Sequence, residues 1–180
     1  PTARQIATLF APLLIGQNPF ERERLWQAMF HATAAKHITY VSLANVDIAL
    51  WDLAGKALGQ PVFRVIGGFR ERFPAMLVGA ISDNVATVIA EASAAAAHGF
   101  TAYCDRFSGD AANLATMAGR LRATVGPDFH LVHDGQRRCT AADALAVGLA
   151  LQAHDYLYFK APLAAADVST LKTLAAALDV

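Results

Sequence analysis

Three short runs of this 180-residue sequence end in groups that can hold or neutralise an anion: Cys104-Asp105-Arg106, His133-Asp134-Gly135 and Phe159-Lys160-Ala161-Pro162. If each run is a strand, its side chains alternate between two faces. Cys104 and Arg106 then share one face, as do His130, Val132 and Asp134, and as do Tyr156, Tyr158 and Lys160. A face that carries Asp134 therefore also carries Arg106 and Lys160. A guanidinium is a planar donor fork suited to a carboxylate, and an ammonium is a compact point charge. Asp134 reads either as a structural acid at a strand end or as a ligand for a hard cation. Cys104, beside Arg106, is a weaker candidate, a thiol of lowered pKa, and the sequence places no histidine next to it. His133 alternates to the opposite face, which argues against Cys104, His133 and Cys139 converging as soft metal ligands.

The elements that must position these residues form a repeating pattern. Short apolar runs begin at Pro74, Thr101, His130 and Tyr156, about every 27 residues, each followed by an alanine-rich helical segment. Asn84 to His98 stops before Gly99, Asp110 to Val125 stops before Gly126, and Thr140 caps a helix to His154. Four such units predict an α/β fold with a parallel sheet and right-handed crossovers, either half of a (β/α)8 barrel or a doubly wound sheet. No Gly-x-Gly-x-x-Gly follows a strand, so a dinucleotide site is disfavoured.

The first third is helical. Asn18-Pro19-Phe20-Glu21 has a cap residue, a proline for the first helical position and an acid three after the cap, predicting a helix through Trp26, Met29 and Phe30 to about Lys36. After His37-Ile38-Thr39-Tyr40, Leu43, Val46, Leu50 and Ala54 recur at helical spacing while Ile48, Ala49, Trp51 and Leu53 fill much of the remaining circumference. A helix apolar nearly all round is expected to be buried, with Asp47, Asp52 and Lys56 held in internal ion pairs. Gly59 and Pro61 stop it. The predicted division is a helical segment over 1–68 and four βα units over 69–180.

Apolar content of 55% with 17% charged residues points to a well-buried globular protein. Fifteen basic residues balance 15 acidic ones, which gives no net field for nucleic acid or a membrane surface. No apolar run reaches the roughly 20 residues that span a bilayer. Cys104 and Cys139 make neither a disulfide framework nor a zinc pattern, so a reduced, cytoplasmic location is the expectation. The opening PTARQIATLFAPLL has no convincing cleavage site, and the absent initiator methionine fits a processed or partial chain.

The segment Ala44 to Gly68, ANVDIALWDLAGKALGQPVFRVIGG, resembles the signature helix of the mandelate racemase/muconate-lactonizing branch of the enolase superfamily. The matching positions are Ala44, the run Asp47 to Asp52, Gly55, Lys56, Gly59, Pro61, Gly67 and Gly68. The resemblance implies the helical part of a capping domain followed by the first half of a modified (β/α)8 TIM-type barrel. Barrel enzymes work at the carboxyl ends of their strands. It also implies Mg2+-dependent abstraction of the proton alpha to a carboxylate, giving dehydration or racemisation of a sugar acid or hydroxy acid, the work of a lyase or an isomerase. The segments HDGQRRCT and GDAANLATMAGRLRATVGPDF look closest to acid-sugar dehydratase-like members.

The family's second strand typically ends in Lys-x-Lys, its third in a metal-binding Asp and its fourth in Glu-Glu-Pro with a metal-binding Glu. A fifth-strand acid and a further base on later strands lie beyond this chain. The proton concerned is so weakly acidic that a divalent cation must hold the ene-diolate while a base faces the carbon. Asp134 matches the first metal position. Cys104 and Arg106 stand where the two lysines would be, and Lys160-Ala161-Pro162 stands where Glu-Glu-Pro would be. Arginine holds its proton to above about pH 12 and has no acceptor nitrogen, so at the base position it can bind a carboxylate but hardly abstract a proton. An ammonium cannot ligate Mg2+ and repels it.

Two readings of the replacements stay open. Lys160 and Arg106 pair with Asp134, substituting side-chain charge for the ion, or the site has decayed without compensation. The function is correspondingly that of a fragment or degenerate enzyme with its base and one metal ligand replaced, or of a non-catalytic remnant. The remnant would bind a small carboxylate such as a sugar acid at Arg106 and Lys160, or serve as a partner subunit. Unpaired edges on a half barrel invite association, so a homo-oligomer or part of a longer chain is expected.

Overall fold

The computed structural model describes residues 2–36, 40–164 and 167–180. The chain divides into two units, 1–72 and 73–180.

The first unit is helical. Helix α1 (Thr2–Gln5), a π-helical turn (Ile6–Phe10) and α2 (Ala11–Leu14) precede α3 (Arg22–Lys36), α4 (Tyr40–Leu58) and α5 (Val62–Val65). Phe10, Met29, Leu43 and Val46 form its core, with Ile6, Leu9, Trp26 and Leu50 packed around them. The helical opening lies within the segment expected to be helical, although the sequence marked no individual helix before Asn18. Helix α3 begins at Arg22 rather than Pro19 because Asn18 makes a turn. Its side chain accepts from the Phe20 N–H (3.1 Å), and its carbonyl accepts from the Glu21 N–H (3.1 Å). The predicted junction at His37-Ile38-Thr39 lies outside the described residues.

Helix α4 departs from the expectation of burial all round. Its buried residues are Ser42, Leu43, Val46, Ala54 and Gly55, a single stripe, while Ile48 is 66% and Leu53 47% exposed. The charges also differ in part from the prediction. Lys56 pairs with Asp52 one turn back (2.7 Å), but Asp47 reaches across to Arg22 on α3 (2.6 Å), whose guanidinium stacks 3.9 Å from the Trp51 ring centre. At Gly55, a Cβ would lie 2.9 Å from the Gln60 carbonyl oxygen, so glycine lets the chain fold back at the helix end.

The second unit alternates strand and helix: β1 (Leu77–Ser82), α6 (Val85–Ala97), β2 (Ala102–Phe107), α7 (Ala111–Val125), β3 (His130–Asp134), α8 (Ala141–Gln152), β4 (Tyr158–Lys160) and α9 (Val168–Ala177). The strands are parallel and lie in the order β1-β2-β3-β4. Each new strand is laid beside its predecessor without a reversal, the winding of a barrel rather than of a doubly wound sheet. The caps are those the sequence predicts: Asn84 accepts from Ala86 and Thr87, Asp110 from Asn113 and Thr140 from Asp143. Tyr103, Phe107 and Leu131 on one sheet face pack against Val88, Ala92, Met117, Leu121 and Leu151 from the helices. The architecture is a helical segment followed by the first half of a TIM-type barrel. No helix among the described residues is long and apolar enough to cross a membrane.

Candidate functional site at the strand ends

Register carries the alternation argument across the sheet. Cys104 sits opposite Val132, Val132 opposite Tyr158, Asp134 opposite Lys160, and Ile81 opposite Arg106. Arg106, Asp134 and Lys160 therefore end β2, β3 and β4 on the face turned away from the helices.

Asp134 is almost fully buried and both of its oxygens are engaged. The Lys160 ammonium donates to Oδ2 at 2.9 Å and the Gln136 N–H donates to Oδ1 at 3.0 Å. Burial pushes the Asp134 carboxyl up, but the Lys160 hydrogen bond, the Gln136 N–H and the nearby charges outweigh it and hold the group below the usual carboxylate range. The same hydrogen bond raises Lys160 above the ordinary lysine value.

The pairing expected for Lys160 is present, whereas Arg106 makes no ion pair among the described residues. Its Nε donates instead to the Gly79 carbonyl at 2.7 Å. The cause is a bulge in β1 between Val78 and Ile81, which brings that carbonyl within reach. The expectation for Cys104 is also corrected. The thiol is wholly buried, and burial pushes it up to about 11, with Asp105 and Asp134 adding to the rise and Lys160 and Arg106 opposing it. Cys104 is a packed side chain, not an activated nucleophile.

The loop after β3 is fastened to the end of β4. Gly135, Arg137 and Cys139 donate their N–H groups to the carbonyls of Lys160 (2.9 Å), Ala161 (2.7 Å) and Pro162 (3.1 Å). Gln136 (φ 54°), Arg137 (φ 63°) and Ala161 (φ 46°) all take left-handed backbone conformations there, which non-glycine residues adopt at a cost.

On the helix-facing side of the same strands lies a pair that sequence reasoning did not single out. His133 Nδ1 and Asp105 Oδ1 are 2.6 Å apart, at 2% and 0% exposure, and Asp105 Oδ1 also accepts from the Phe107 N–H (3.1 Å). The usable signal is that the two residues face each other in adjacent strands, which only the register supplies. His133 and Cys139 line a cavity of about 260 Å³ with Phe107, Leu114 and Val147, while Cys104 belongs to the other face, so the three soft groups do not converge. Among the described residues, no three His, Cys, Asp or Glu side chains gather as a metal site.

Comparison with known proteins places this geometry. Residues 2–67 match the family described as "Mandelate racemase / muconate lactonizing enzyme, N-terminal domain". D-galactarolactone cycloisomerase of Agrobacterium fabrum is 29% identical over 151 residues, 79% of this chain and 40% of its own. D-galactonate dehydratase of Ralstonia nicotianae is 31% identical over 179 residues, 92% of this chain and 46% of its own. Among solved structures, D-glucarate dehydratase from Agrobacterium tumefaciens, complexed with magnesium, superposes with a TM-score of 0.87 at 29% identity, covering 98% of this chain and 50% of that one. The chain thus spans about half the length of the relatives it matches. With a signature helix at Ala44–Gly68, a helical segment that the family profile covers, and a β1-to-β4 winding shared with these structures, the chain belongs to the mandelate racemase/muconate-lactonizing branch of the enolase superfamily.

Proposed function

We propose that this chain carries part of an acid-sugar dehydratase or racemase scaffold in which the strand-end site binds a small carboxylate through Arg106 and Lys160, the parent Mg2+-dependent proton abstraction being impaired. The observation that carries this reading is the 2.9 Å contact from the Lys160 ammonium to Asp134 Oδ2. The residues present do not fit Mg2+. Among the described residues of β2, β3 and β4, Asp134 is the one acid on the face that carries Arg106 and Lys160, both its oxygens already accept hydrogen bonds, and the charge beside it is positive. Arg106 at the base position supplies donors and no acceptor. On that face two cations, Arg106 and Lys160, against one carboxylate, Asp134, leave a net charge of +1, which favours an anion, and a sugar acid is the class that the relatives' names point to.

Calorimetric titration with D-gluconate and, separately, with MgCl2 tests the reading. Gluconate is expected to bind and to lose its saturable heat in Arg106→Met, whereas MgCl2 gives no saturable heat. Saturable Mg2+ binding, together with gluconate dehydration abolished in Asp134→Asn, would overturn it in favour of a working enzyme. The retained Asp134 and the magnesium-bound relative favour that second reading, which requires ligands and a base from outside these strand ends.

A further inference from the structure

We infer that Glu91 and Tyr103 are positioning residues for Arg106, acting through the bulge in β1. The inference rests on the carboxylate site proposed above. Leu77 and Val78 pair with Tyr103 and Cys104 before the bulge, and Ile81 and Ser82 pair with Arg106 and Phe107 after it. Gly79 and Ala80 together therefore stand opposite the single residue Asp105, the extra residue that defines a bulge.

Side chains from two other elements hold this irregularity in place. One carboxylate oxygen of Glu91, on α6, accepts both the Ala80 N–H (3.1 Å) and the Tyr103 hydroxyl (2.8 Å). The bulged N–H, which the sheet ladder leaves without a partner, is thereby satisfied. The Tyr103 hydroxyl lies where a side chain on residue 79 would have to go, 2.1 Å from an ideal Cβ, so the bulge requires glycine. Burial raises the Tyr103 hydroxyl far above its ordinary range, the Glu91 bond adding to the rise, so this donor stays protonated. With Ala80 and Gly79 fixed, the Gly79 carbonyl accepts Arg106 Nε at 2.7 Å. That bond consumes the one donor of the guanidinium lying along its stem. The two terminal nitrogens make no hydrogen bond among the described residues and are the pair that can grip a carboxylate with both oxygens. Glu91 and Tyr103 never reach the site themselves. They set the carbonyl that sets the guanidinium.

The test reads Arg106 directly. In 15N-labelled full-length protein, the Arg106 Nε–Hε signal is assigned by its loss in Arg106→Lys. A bonded Hε exchanges slowly with water. Glu91→Ala is expected to speed that exchange by about tenfold and to weaken D-gluconate binding by a similar factor. Glu91→Gln, whose amide oxygen can accept both bonds, is expected to restore both readouts. Where Glu91→Ala fails to fold, Tyr103→Phe, which loses only the hydroxyl bond, is read in the same way with a smaller change. An Arg106 signal unmoved by folded Glu91→Ala or Tyr103→Phe, or an equal loss in Glu91→Gln, overturns the inference. An Arg106 signal that responds as stated in a protein that binds no gluconate upholds the positioning and sinks only the carboxylate reading.

Discussion

Replacing Gly79 by alanine puts the packing behind Arg106 to a quantitative test. The new methyl would stand 2.1 Å from Tyr103 Oη, 2.6 Å from Glu91 Oε2 and 2.8 Å from Tyr103 Cζ. Ordinary non-bonded contact is about 3.5–4 Å, so the phenol must retreat by more than about 1 Å. Tyr103 is wholly buried in the sheet–helix core and has nowhere to retreat. Two costs follow. Pulling the hydroxyl off the Glu91 carboxylate forfeits about 1.5–3 kcal/mol, and overpacking adds about 1–3 kcal/mol, so Gly79→Ala should destabilise the chain by about 2.5–6 kcal/mol. Tyr103→Phe alone loses the hydrogen bond without a clash, while Glu91 still holds the Ala80 N–H, for about 1–2 kcal/mol. In the double variant the closest contact is gone. Its total cost should fall short of the sum of the single costs by at least about 1.5 kcal/mol. Urea denaturation followed by circular dichroism measures all three. An additive double variant, or a Gly79→Ala protein within about 0.5 kcal/mol of the unsubstituted chain, would falsify the bulge as described.

Three further outcomes are expected. Lys160→Met should return the Asp134 carboxyl toward the ordinary value. Because Asp134 is held low, its stabilising contribution is present above about pH 4 and is lost as pH falls through the lowered value, so the variant should differ from the unsubstituted chain near neutrality and converge with it in acid denaturation. Asp105→Ala leaves a buried imidazole without its acceptor and should cost about 3 kcal/mol in urea denaturation, with a smaller loss for Asp105→Asn. Arg22→Met removes both the Asp47 ion pair and the stacking on Trp51, and should cost about 1–2 kcal/mol while shifting tryptophan emission; unchanged emission would show that the guanidinium does not sit on the ring.

The sequence carried the parts of this fold that local chemistry dictates. Asn84, Asp110 and Thr140 cap their helices because short polar side chains before an apolar run have few better uses. Period-2 alternation, extended across three strands, placed Arg106, Asp134 and Lys160 on one face, and the Lys160–Asp134 pair followed from opposite charges at matching strand ends. What failed needed partners distant in sequence. Nothing in the run around Asp47 reveals that Arg22 on another helix lies nearer than any charge on its own. Asp105 reads as a filler between Cys104 and Arg106 until the register sets it against His133. The direction of Arg106 depends on Gly79 and Ala80, which read as ordinary strand residues because a bulge is a property of two paired strands.

The three N–H groups that tie Gly135, Arg137 and Cys139 to the end of β4 have a consequence for how this site can change over time. They fasten the turn after β3 to the chain leaving β4, so the acid at the end of β3 and the lysine at the end of β4 are held by one cross-tied piece of backbone. Adding or deleting a single residue there would shift every tie at once and separate the two charges. Diversification of this corner is thus confined to side-chain exchange at fixed length, the kind of change that alters the charges at the strand ends while the surrounding scaffold keeps its shape.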